Sequence, residues 1–164
     1  GAVVLDPAKS LPIGLNDSKK ISKKKREVIA LEVQEHALAY AFGQIEAEEI
    51  DQINILEATK KAMKLAVQNL SVKADFLLVD ALELEDVDLP QKGIIRGDSI
   101  SASIAAASII AKVYRDNLMK DYAKTYPEYG FERHAGYGTK FHLEALRNHG
   151  ATPIHRKSFK GVLS

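Results

Sequence analysis

The chain has 164 residues, of which 46% are hydrophobic; we expect one domain over residues 1–164, because this length is too short for two ordinary ones. Its 23 Lys and Arg residues balance 22 Asp and Glu residues, so the net charge of +1 favours no class of partner, and the absence of cysteine excludes disulfides and thiolate metal sites. With no long apolar run and no signal-peptide pattern, we expect a soluble, cytoplasmic protein without a membrane partner.

The first part of the chain predicts two strands around one helix. Residues 2–5 form a short apolar run typical of a strand, and the proline-containing residues 6–14 predict a loop. Ser22 is typical of a helix N-cap, and the apolar spacing over residues 23–37 predicts an amphipathic helix. Residues 38–45 then predict a second strand.

The middle of the chain alternates helix and strand. An acidic turn at residues 46–51 precedes a predicted helix over 55–70, whose apolar residues fall on one side. The apolar residues 76–79 predict a strand buried on both faces, and residues 93–95 predict a shorter strand. Small residues spaced along one face predict a long helix over residues 99–119.

The C-terminal part predicts a further helix. The pair Tyr126-Pro127 predicts the stop of the preceding helical stretch, and residues 139–149 predict the last helix, which Gly150 ends. Alternating strands and helices are typical of the α/β class, and we expect a mixed sheet flanked by helices with a C-terminal helical segment.

Two aspartates are the strongest candidates for chemistry. Asp80 closes the apolar strand at residues 76–79, and Asp98 immediately precedes the long helix. An acid at the carboxyl end of a buried strand lies where open α/β sheets bind ligands, and oxygen donors suit Mg²⁺. The alternative, equally open on the pattern alone, is that Asp80 only ends a strand and Asp98 only caps a helix.

A basic cluster lies at the start of the first helix. Six cations within residues 19–26 stand where the positive end of the helix dipole disfavours them, so a bound anion would offset the repulsion. Residues 16–18 supply hydrogen-bonding side chains just upstream. The alternative interpretation is a solvated cationic surface.

Aromatic residues alternate with glycine in two turns. Tyr126, Tyr129 and Phe131 are expected to pack at the rim of the core, although stacking on a base or sugar is the alternative. Tyr137 lies between two glycines that leave its ring uncovered, so it is the better candidate for a ligand contact.

The histidines do not predict a zinc site, because they lack the i,i+4 pairing of a helical site and no cysteine accompanies them. His142 is expected on a helix surface. Residues 155–160 form a second basic patch, for which solvation and phosphate contact are both open.

Six separated segments carry a family resemblance: residues 14–20 (GLNDSKK), 96–98 (RGD), 103–113 (SIAAASIIAKV), 129–131 (YGF), 134–139 (HAGYGT) and 153–159 (PIHRKSF). Together they resemble the signature segments of the type 2 ribonucleases H, or ribonuclease HII. The resemblance runs from the first residues to the last, and six motifs in the right order are more specific than any one of them.

The resemblance implies a ribonuclease H-like α/β fold and an endonuclease that cuts RNA in RNA–DNA hybrids and at ribonucleotides embedded in duplex DNA. We expect a monomer. Asp80 and Asp98 match two of the family's four catalytic carboxylates, which implies that they bind Mg²⁺ or Mn²⁺. The match also implies that Tyr137 recognises the ribonucleotide junction. Finally, it implies contacts to the nucleic-acid backbone by Ser18, Lys19 and Lys20.

The sequence departs from the family at its start. The family's first strand carries an Asp-Glu pair followed by Gly-Arg-Gly, and it precedes the strand that begins here at Ala2. We therefore expect a fragment truncated at its N-terminus. The alternative function is that of a catalytically inactive, nucleic-acid-binding fragment of the same fold.

Overall fold

The strands of the protein form two separate pairs, as seen in a computed structural model that describes residues 1–162. Strands β1 and β2 pair antiparallel with Val3 opposite Tyr40, and β3 and β4 pair parallel with Leu78 opposite Lys92. Both kinds of pairing therefore occur, and the alternation with helices confirms the α/β class. In chain order the elements are β1 Ala2–Leu5, α1 Lys23–His36, β2 Ala37–Ala41, α2 Ala47–Gln68, β3 Leu77–Asp80, β4 Gln91–Ile94, α3 Ala102–Thr125, α4 Phe131–His134 and α5 Lys140–His149, with 3₁₀ turns at Gly97–Ser99 and Pro127–Tyr129.

Contacts divide the chain into two compact units. The first holds Gly1–Gln44 and Lys60–Val113, and the second holds Ile45–Thr59 and the chain from Tyr114 onward. The single domain expected from length stays a prediction. The first unit has one buried cluster centred on Ile29, Val33, Ile109 and Ile110 and another on Leu77, Val79 and Leu84; the second unit has a cluster of Met119, Tyr129, Phe131, Ala145 and Leu146.

Local signals mark the ends of α1 and α5 that the sequence predicts. The Ser22 hydroxyl accepts a hydrogen bond from the Lys25 N–H at the start of α1, and the Thr139 hydroxyl accepts one from His142 N–H at the start of α5. Gly150 follows the last residue of α5, and its N–H donates to the Leu146 carbonyl. Side-chain oxygens that satisfy the first N–H groups explain why the Ser22 cap could be predicted and why the predicted start at Thr139 lies within one residue of the observed one.

The prediction that residues 76–79 are buried on both faces is wrong. Leu77 and Val79 are buried, whereas Phe76 is 50% and Leu78 42% exposed. Side chains alternate across a strand, and here only one face of β3 packs on the core. An apolar run therefore does not distinguish a strand with one covered face from a strand with two.

Several predicted boundaries also differ, among them those of β4, predicted over residues 93–95, and of α3, predicted over residues 99–119. The acidic residues 46–51 are mostly helical, because α2 begins at Ala47; the helix is interrupted at Asn54, whose backbone has φ 71° and whose side chain accepts from the N–H of Leu56. Strand β2 ends at Ala41 rather than at 45. A Cβ on Gly43 would collide with the Ala62 carbonyl, so the chain there runs against the α2 backbone.

Among the residues that the structure describes, we find no helix with both the length and the apolarity needed to cross a membrane.

Candidate functional site

One backbone hydrogen bond joins the Asp80 carboxylate to the residue before Asp98. Asp80 is the last residue of β3, and its Oδ1 accepts from the N–H of Gly97 at 2.9 Å. Gly97 immediately precedes Asp98 and follows β4, the parallel neighbour of β3. Because parallel strands end at the same edge, the turn that carries Asp98 arrives beside the end of β3. We call residues 80 and 96–98 the carboxylate turn.

The carboxylate turn depends on a glycine. Arg96 adopts the left-handed conformation with φ 57°, and Gly97 behind it is buried. A Cβ on Gly97 would lie 2.5 Å from Ile104 Cδ1 and 3.4 Å from Asp80 Oδ1. A side chain at this position would therefore require Ile104 to move, whereas the contact with Asp80 would be an ordinary one.

The alternative interpretation, that Asp98 caps the long helix, is wrong. Asp98 lies inside the 3₁₀ turn Gly97–Ser99, and α3 begins at Ala102 rather than at residue 99. The Ser101 hydroxyl accepts from Ile104 N–H at 3.5 Å and so takes the capping role. Within residues 1–162 the half-buried Asp98 carboxylate has no hydrogen-bonding or ion-pairing partner. Its charge is therefore available to a ligand.

Asp80 also lies on the wall of an apolar cleft of about 710 Å³. Strands β1 and β3 and helix α3 line this cleft, and Leu78 contributes the exposed face of β3. Ser103 and Ser108 are the hydroxyl groups of α3 in its lining. The cleft gives Asp80 an environment that is mainly apolar on one side, where charge interactions are stronger than in water.

The loop before α1 is anchored through Ser18. Ser18 is buried, and its hydroxyl accepts a hydrogen bond from the Ser108 hydroxyl at 3.0 Å. Its carbonyl accepts from Arg26 Nε at 2.8 Å. The structure thus places Ser18 inside the loop rather than on its surface, where it holds the neighbouring residues in position.

The basic cluster separates into one buried cation and several exposed ones. Arg26 is buried and also donates to the Ile21 carbonyl at 2.9 Å, so it is a structural residue. Lys19 and Lys20 are exposed, and in the described part of the chain neither ammonium pairs with a carboxylate. The first turn of α1 contains no acidic residue. Exposed lysines at a helix N-terminus suit a phosphate ligand.

Tyr137 presents its ring to solvent, as the sequence predicts, with 61% of its surface exposed. Its backbone is fixed on both sides: its N–H donates to the His134 carbonyl at 2.9 Å, and its carbonyl accepts from Thr139 N–H at 2.8 Å. Gly136 precedes it with φ +80°. By contrast, Tyr129 and Phe131 are buried and stack on each other, which confirms their packing role.

The prediction that His142 lies on a helix surface is wrong. His142 and His155 are both buried, and their Nε2 atoms are 3.1 Å apart. His142 Nδ1 also lies 3.0 Å from the Tyr137 carbonyl oxygen. One signal could have indicated this burial: His142 is three and four residues before Ala145 and Leu146, so it shares their apolar face.

The second basic patch, residues 155–160, is hydrogen-bonded to Asp51, which the sequence does not single out. Asp51 accepts from the N–H groups of Lys157 and Ser158, at 2.7 and 2.9 Å, and from the Ser158 hydroxyl at 2.5 Å. These hydrogen bonds, that of the hydroxyl first, lower the pKa of the Asp51 carboxyl. Arg156 lies 3.8 Å above the Phe159 ring. The separation of more than 100 residues left no local pattern that could predict the contact.

Comparison with known proteins identifies the family. A family model described as Ribonuclease HII matches residues 2–162. The chain belongs to the ribonuclease HII family. It is 58% identical over 161 residues to the ribonuclease HII of Desulfitobacterium hafniense (strain DSM 10664 / DCB-2), an alignment that covers 98% of this chain and 62% of that relative.

Solved structures share the ribonuclease H-like fold. The chain resembles the crystal structure of ribonuclease H2 from Pyrococcus horikoshii OT3 with a TM-score of 0.75 and 23% identity, over 92% of this chain and 79% of that one. It also resembles Bst-RNase HIII in complex with Mn²⁺, with a TM-score of 0.63 and 17% identity over 91% of this chain and 56% of that one. At these identities the likeness shows the fold, which confirms the predicted fold class.

The chain spans about three fifths of the length of the curated relatives it matches.

Proposed function

We propose that the protein acts as a ribonuclease H endonuclease, which cleaves RNA in RNA–DNA hybrids and at ribonucleotides embedded in duplex DNA. The observation that carries this proposal is the carboxylate turn, in which Asp80 is hydrogen-bonded to the residue before Asp98. Membership of the ribonuclease HII family supports it. We retain the monomeric state and the cytoplasmic location predicted from the sequence as parts of the proposal.

Asp80 and Asp98 are the proposed ligands of Mg²⁺ or Mn²⁺. Both supply carboxylate oxygens, which hard divalent cations prefer, and Asp98 has no competing partner in residues 1–162. A bound cation of this kind activates water and stabilises the leaving oxygen in phosphodiester hydrolysis. The Gly97 N–H holds Asp80 Oδ1 in a fixed direction, so the carboxylate keeps one orientation. A complex with Mn²⁺ is known for the structural neighbour Bst-RNase HIII.

Tyr137 and the loop before α1 are the proposed substrate contacts. The exposed Tyr137 ring on a fixed backbone is suited to stack on a sugar or base, because stacking needs an uncovered aromatic face. Lys19 and Lys20 would bind backbone phosphates, which attract cations whatever the base sequence. Ser18 would contribute by anchoring this loop through Ser108.

A nucleic-acid-binding protein without cleavage activity is the second candidate. It is favoured by one observation: within residues 1–162 no group of three or more His, Cys, Asp or Glu side chains is arranged to hold a metal ion. The lysines and Tyr137 would serve this function equally well. The two candidates differ only in what happens after binding.

One experiment distinguishes the two candidates. The 164-residue chain is incubated with a labelled DNA duplex that carries a single ribonucleotide, in Mn²⁺, in Mg²⁺ and in EDTA, and both binding and strand cleavage are followed. Cleavage that needs the divalent ion supports the endonuclease. Binding without cleavage in either ion supports the second candidate, and absence of binding contradicts both.

A further inference from the structure

Tyr137 is connected to a buried chain of hydrogen bonds that the proposed function does not use. The Tyr137 carbonyl oxygen lies 3.0 Å from His142 Nδ1, and His142 Nε2 lies 3.1 Å from His155 Nε2. At the far end, Thr152 N–H donates to His155 Nδ1 at 3.0 Å. We call His142 and His155 the histidine pair. It connects an exposed aromatic residue to a backbone N–H that lies 15 residues further along the chain.

The partners at each end assign the protons of the histidine pair. A carbonyl oxygen only accepts, so His142 Nδ1 carries a proton and donates it to Tyr137. A backbone N–H only donates, so His155 Nδ1 is unprotonated. In neutral rings His155 Nε2–H then donates to His142 Nε2, and all three hydrogen bonds run in one direction towards Tyr137.

The surroundings of the histidine pair favour these neutral rings. Burial and, next, the neighbouring His142 lower the pKa of His155 to about 4, and burial lowers the pKa of His142. Neither ring therefore carries a charge near pH 7. His134 stacks on His142 with ring centroids 4.7 Å apart, and its own carbonyl accepts the Tyr137 N–H. Both backbone groups of Tyr137 are thus held by residues of one packed cluster.

We propose that the histidine pair positions Tyr137 for nucleic acid, with His142 bonded to its carbonyl and His155 fixing the tautomer of His142. The inference rests on the proposed function, because it assumes that Tyr137 contacts the substrate. The bond from His142 adds to those that Tyr137 makes with His134 and Thr139, at a residue that lies between two glycines and where a Cβ at Gly138 would meet nothing within 4 Å. A flexible tyrosine loses more conformational freedom on binding than a fixed one, so rigid support increases affinity.

A purely structural role for the histidine pair makes a different prediction. If His142 only fills the core, its loss lowers stability and affects binding independently of Tyr137. If His142 acts through Tyr137, its loss has no further effect on binding once the Tyr137 ring is absent. A double-mutant cycle measures this dependence directly.

The cycle uses His142→Leu, Tyr137→Ala and their combination, with His142→Asn as the matched control. The Asn amide can still donate to the Tyr137 carbonyl from near the Nδ1 position, whereas Leu cannot. Binding of the full chain to a fluorescent duplex with a single ribonucleotide is measured in Ca²⁺, together with the melting temperature of each variant. We expect His142→Leu to weaken binding roughly fivefold when Tyr137 is present. When residue 137 is already alanine, adding His142→Leu should not change the affinity further. His142→Asn should bind the duplex nearly as tightly as the unsubstituted chain.

The outcomes separate this inference from the proposed function. If Tyr137→Ala itself leaves binding unchanged, the substrate role of Tyr137 fails, and the inference fails with it. If Tyr137→Ala weakens binding but the effect of His142→Leu is absent or simply adds to it, only the inference is overturned.

A second measurement needs no variant and so remains decisive if His142→Leu does not fold. Long-range ¹⁵N–¹H spectra of the imidazole rings report which nitrogen is protonated. We expect the Nδ1–H tautomer for His142 and the Nε2–H tautomer for His155 at pH 7. The opposite tautomer at His142 would remove the hydrogen bond to Tyr137 and overturn the inference.

Discussion

The carboxylate turn and the Tyr137 segment hold their functional side chains in opposite ways. At the carboxylate turn the side chains are charged and half-buried; Asp80 receives one backbone hydrogen bond, and Asp98 has no partner within residues 1–162. Around Tyr137 three histidine side chains already have partners: His134, His142 and His155 each bond to backbone or to one another. In the first region a carboxylate is left without a partner. In the second region the polar groups bond within the protein and hold the backbone of Tyr137.

This difference indicates how to recognise a binding group. A buried polar group that already has its hydrogen bonds stabilises the fold and has little left for a ligand. A half-buried carboxylate without a partner retains the charge that a cation requires. The histidine pair is therefore not a metal site although it contains two close imidazole nitrogens, whereas the carboxylate turn is the candidate for one.

The largest effect is expected where the charge is removed from the carboxylate turn. Asp80→Asn keeps the size of the side chain and an oxygen that can accept from Gly97 N–H, but it removes the negative charge. We expect it to weaken Mn²⁺ binding by about 3 kcal/mol, or roughly a hundredfold, in a titration followed by electron paramagnetic resonance.

Asp88→Asn, a change of the same type at an exposed position of the loop between β3 and β4, is the control and should leave the affinity unchanged. Equal affinities of Asp80→Asn and the unsubstituted chain would remove Asp80 from the metal site.

Replacement of a paired histidine should affect stability instead. His155→Leu leaves the Thr152 N–H and His142 Nε2 without their partner, and we expect a loss of about 2 kcal/mol in the free energy of unfolding at pH 7. Denaturant unfolding measures it, with the exposed His149→Gln as the control. A loss no larger than that of the control would mean that the histidine pair does not hold the second unit together.

The same pair predicts how stability depends on pH. The pKa of His155 is lowered to about 4 in the folded chain, against about 6.5 in an unfolded one, so between these values the unfolded chain binds the extra proton. Stability should therefore decrease as the pH falls from about 6.5 towards about 4, by about 1–3 kcal/mol. His155→Leu should show a smaller decrease over this range in pH-dependent unfolding. An equal decrease in both proteins would assign the effect to other groups.

Tyr137 should affect binding without affecting stability. Tyr137→Ala removes an exposed ring, and we expect a loss of about 1–2 kcal/mol in binding to a duplex with a single ribonucleotide because stacking is lost. Tyr137→Phe keeps the stacking surface and should bind nearly as well. Fluorescence anisotropy measures both variants, and an unchanged affinity of Tyr137→Ala would exclude Tyr137 from the interface.

The smallest effect is expected at the exposed lysines. Lys19→Ala combined with Lys20→Ala should weaken hybrid binding and reduce the salt slope by about one unit for each phosphate contact that is lost. Lys120→Ala with Lys124→Ala removes the same charge from side chains that bond to Asn117 and Asp121, and it should leave the slope nearly unchanged. Equal slopes for the two double variants would mean that only net charge matters.

Sequence reasoning predicted those parts of the fold that depend on neighbouring residues. Ser22 could be identified as a cap because a hydroxyl satisfies an N–H only three residues away, and Thr139, predicted as the first residue of the last helix, caps it in the same way. The exposed face of β3 could not be predicted, because it depends on which elements pack against the strand. Residue spacing placed Asp80 at a strand end, but the bond to Gly97 joins positions 17 residues apart.

The histidine pair illustrates the same limit within the candidate site. The spacing of His142 to Ala145 and Leu146 indicates burial, but nothing near His142 in the sequence indicates that its partner His155 will lie 3.1 Å away. Asp51 was missed for the same reason, since its partners at Lys157 and Ser158 follow more than 100 residues later. The resemblance to ribonuclease HII gave specific roles to Tyr137 and the lysines, which the residue pattern already indicates as candidates, but it gave no account of what holds Tyr137 in place.

The contrast between the two regions is tested most directly by locating a paramagnetic ion. Mn²⁺ is added at substoichiometric amounts to the ¹⁵N-labelled chain, and the broadening of each backbone amide signal is recorded, because the unpaired electrons broaden only nearby nuclei. We predict broadening of the amide signals of Asp80 and residues 96–98, and no broadening centred on His142 or His155. In Asp80→Asn the broadening at the carboxylate turn should be lost. Broadening centred on the histidine pair, with the carboxylate turn unaffected, would contradict the assignment of the metal site to the carboxylate turn.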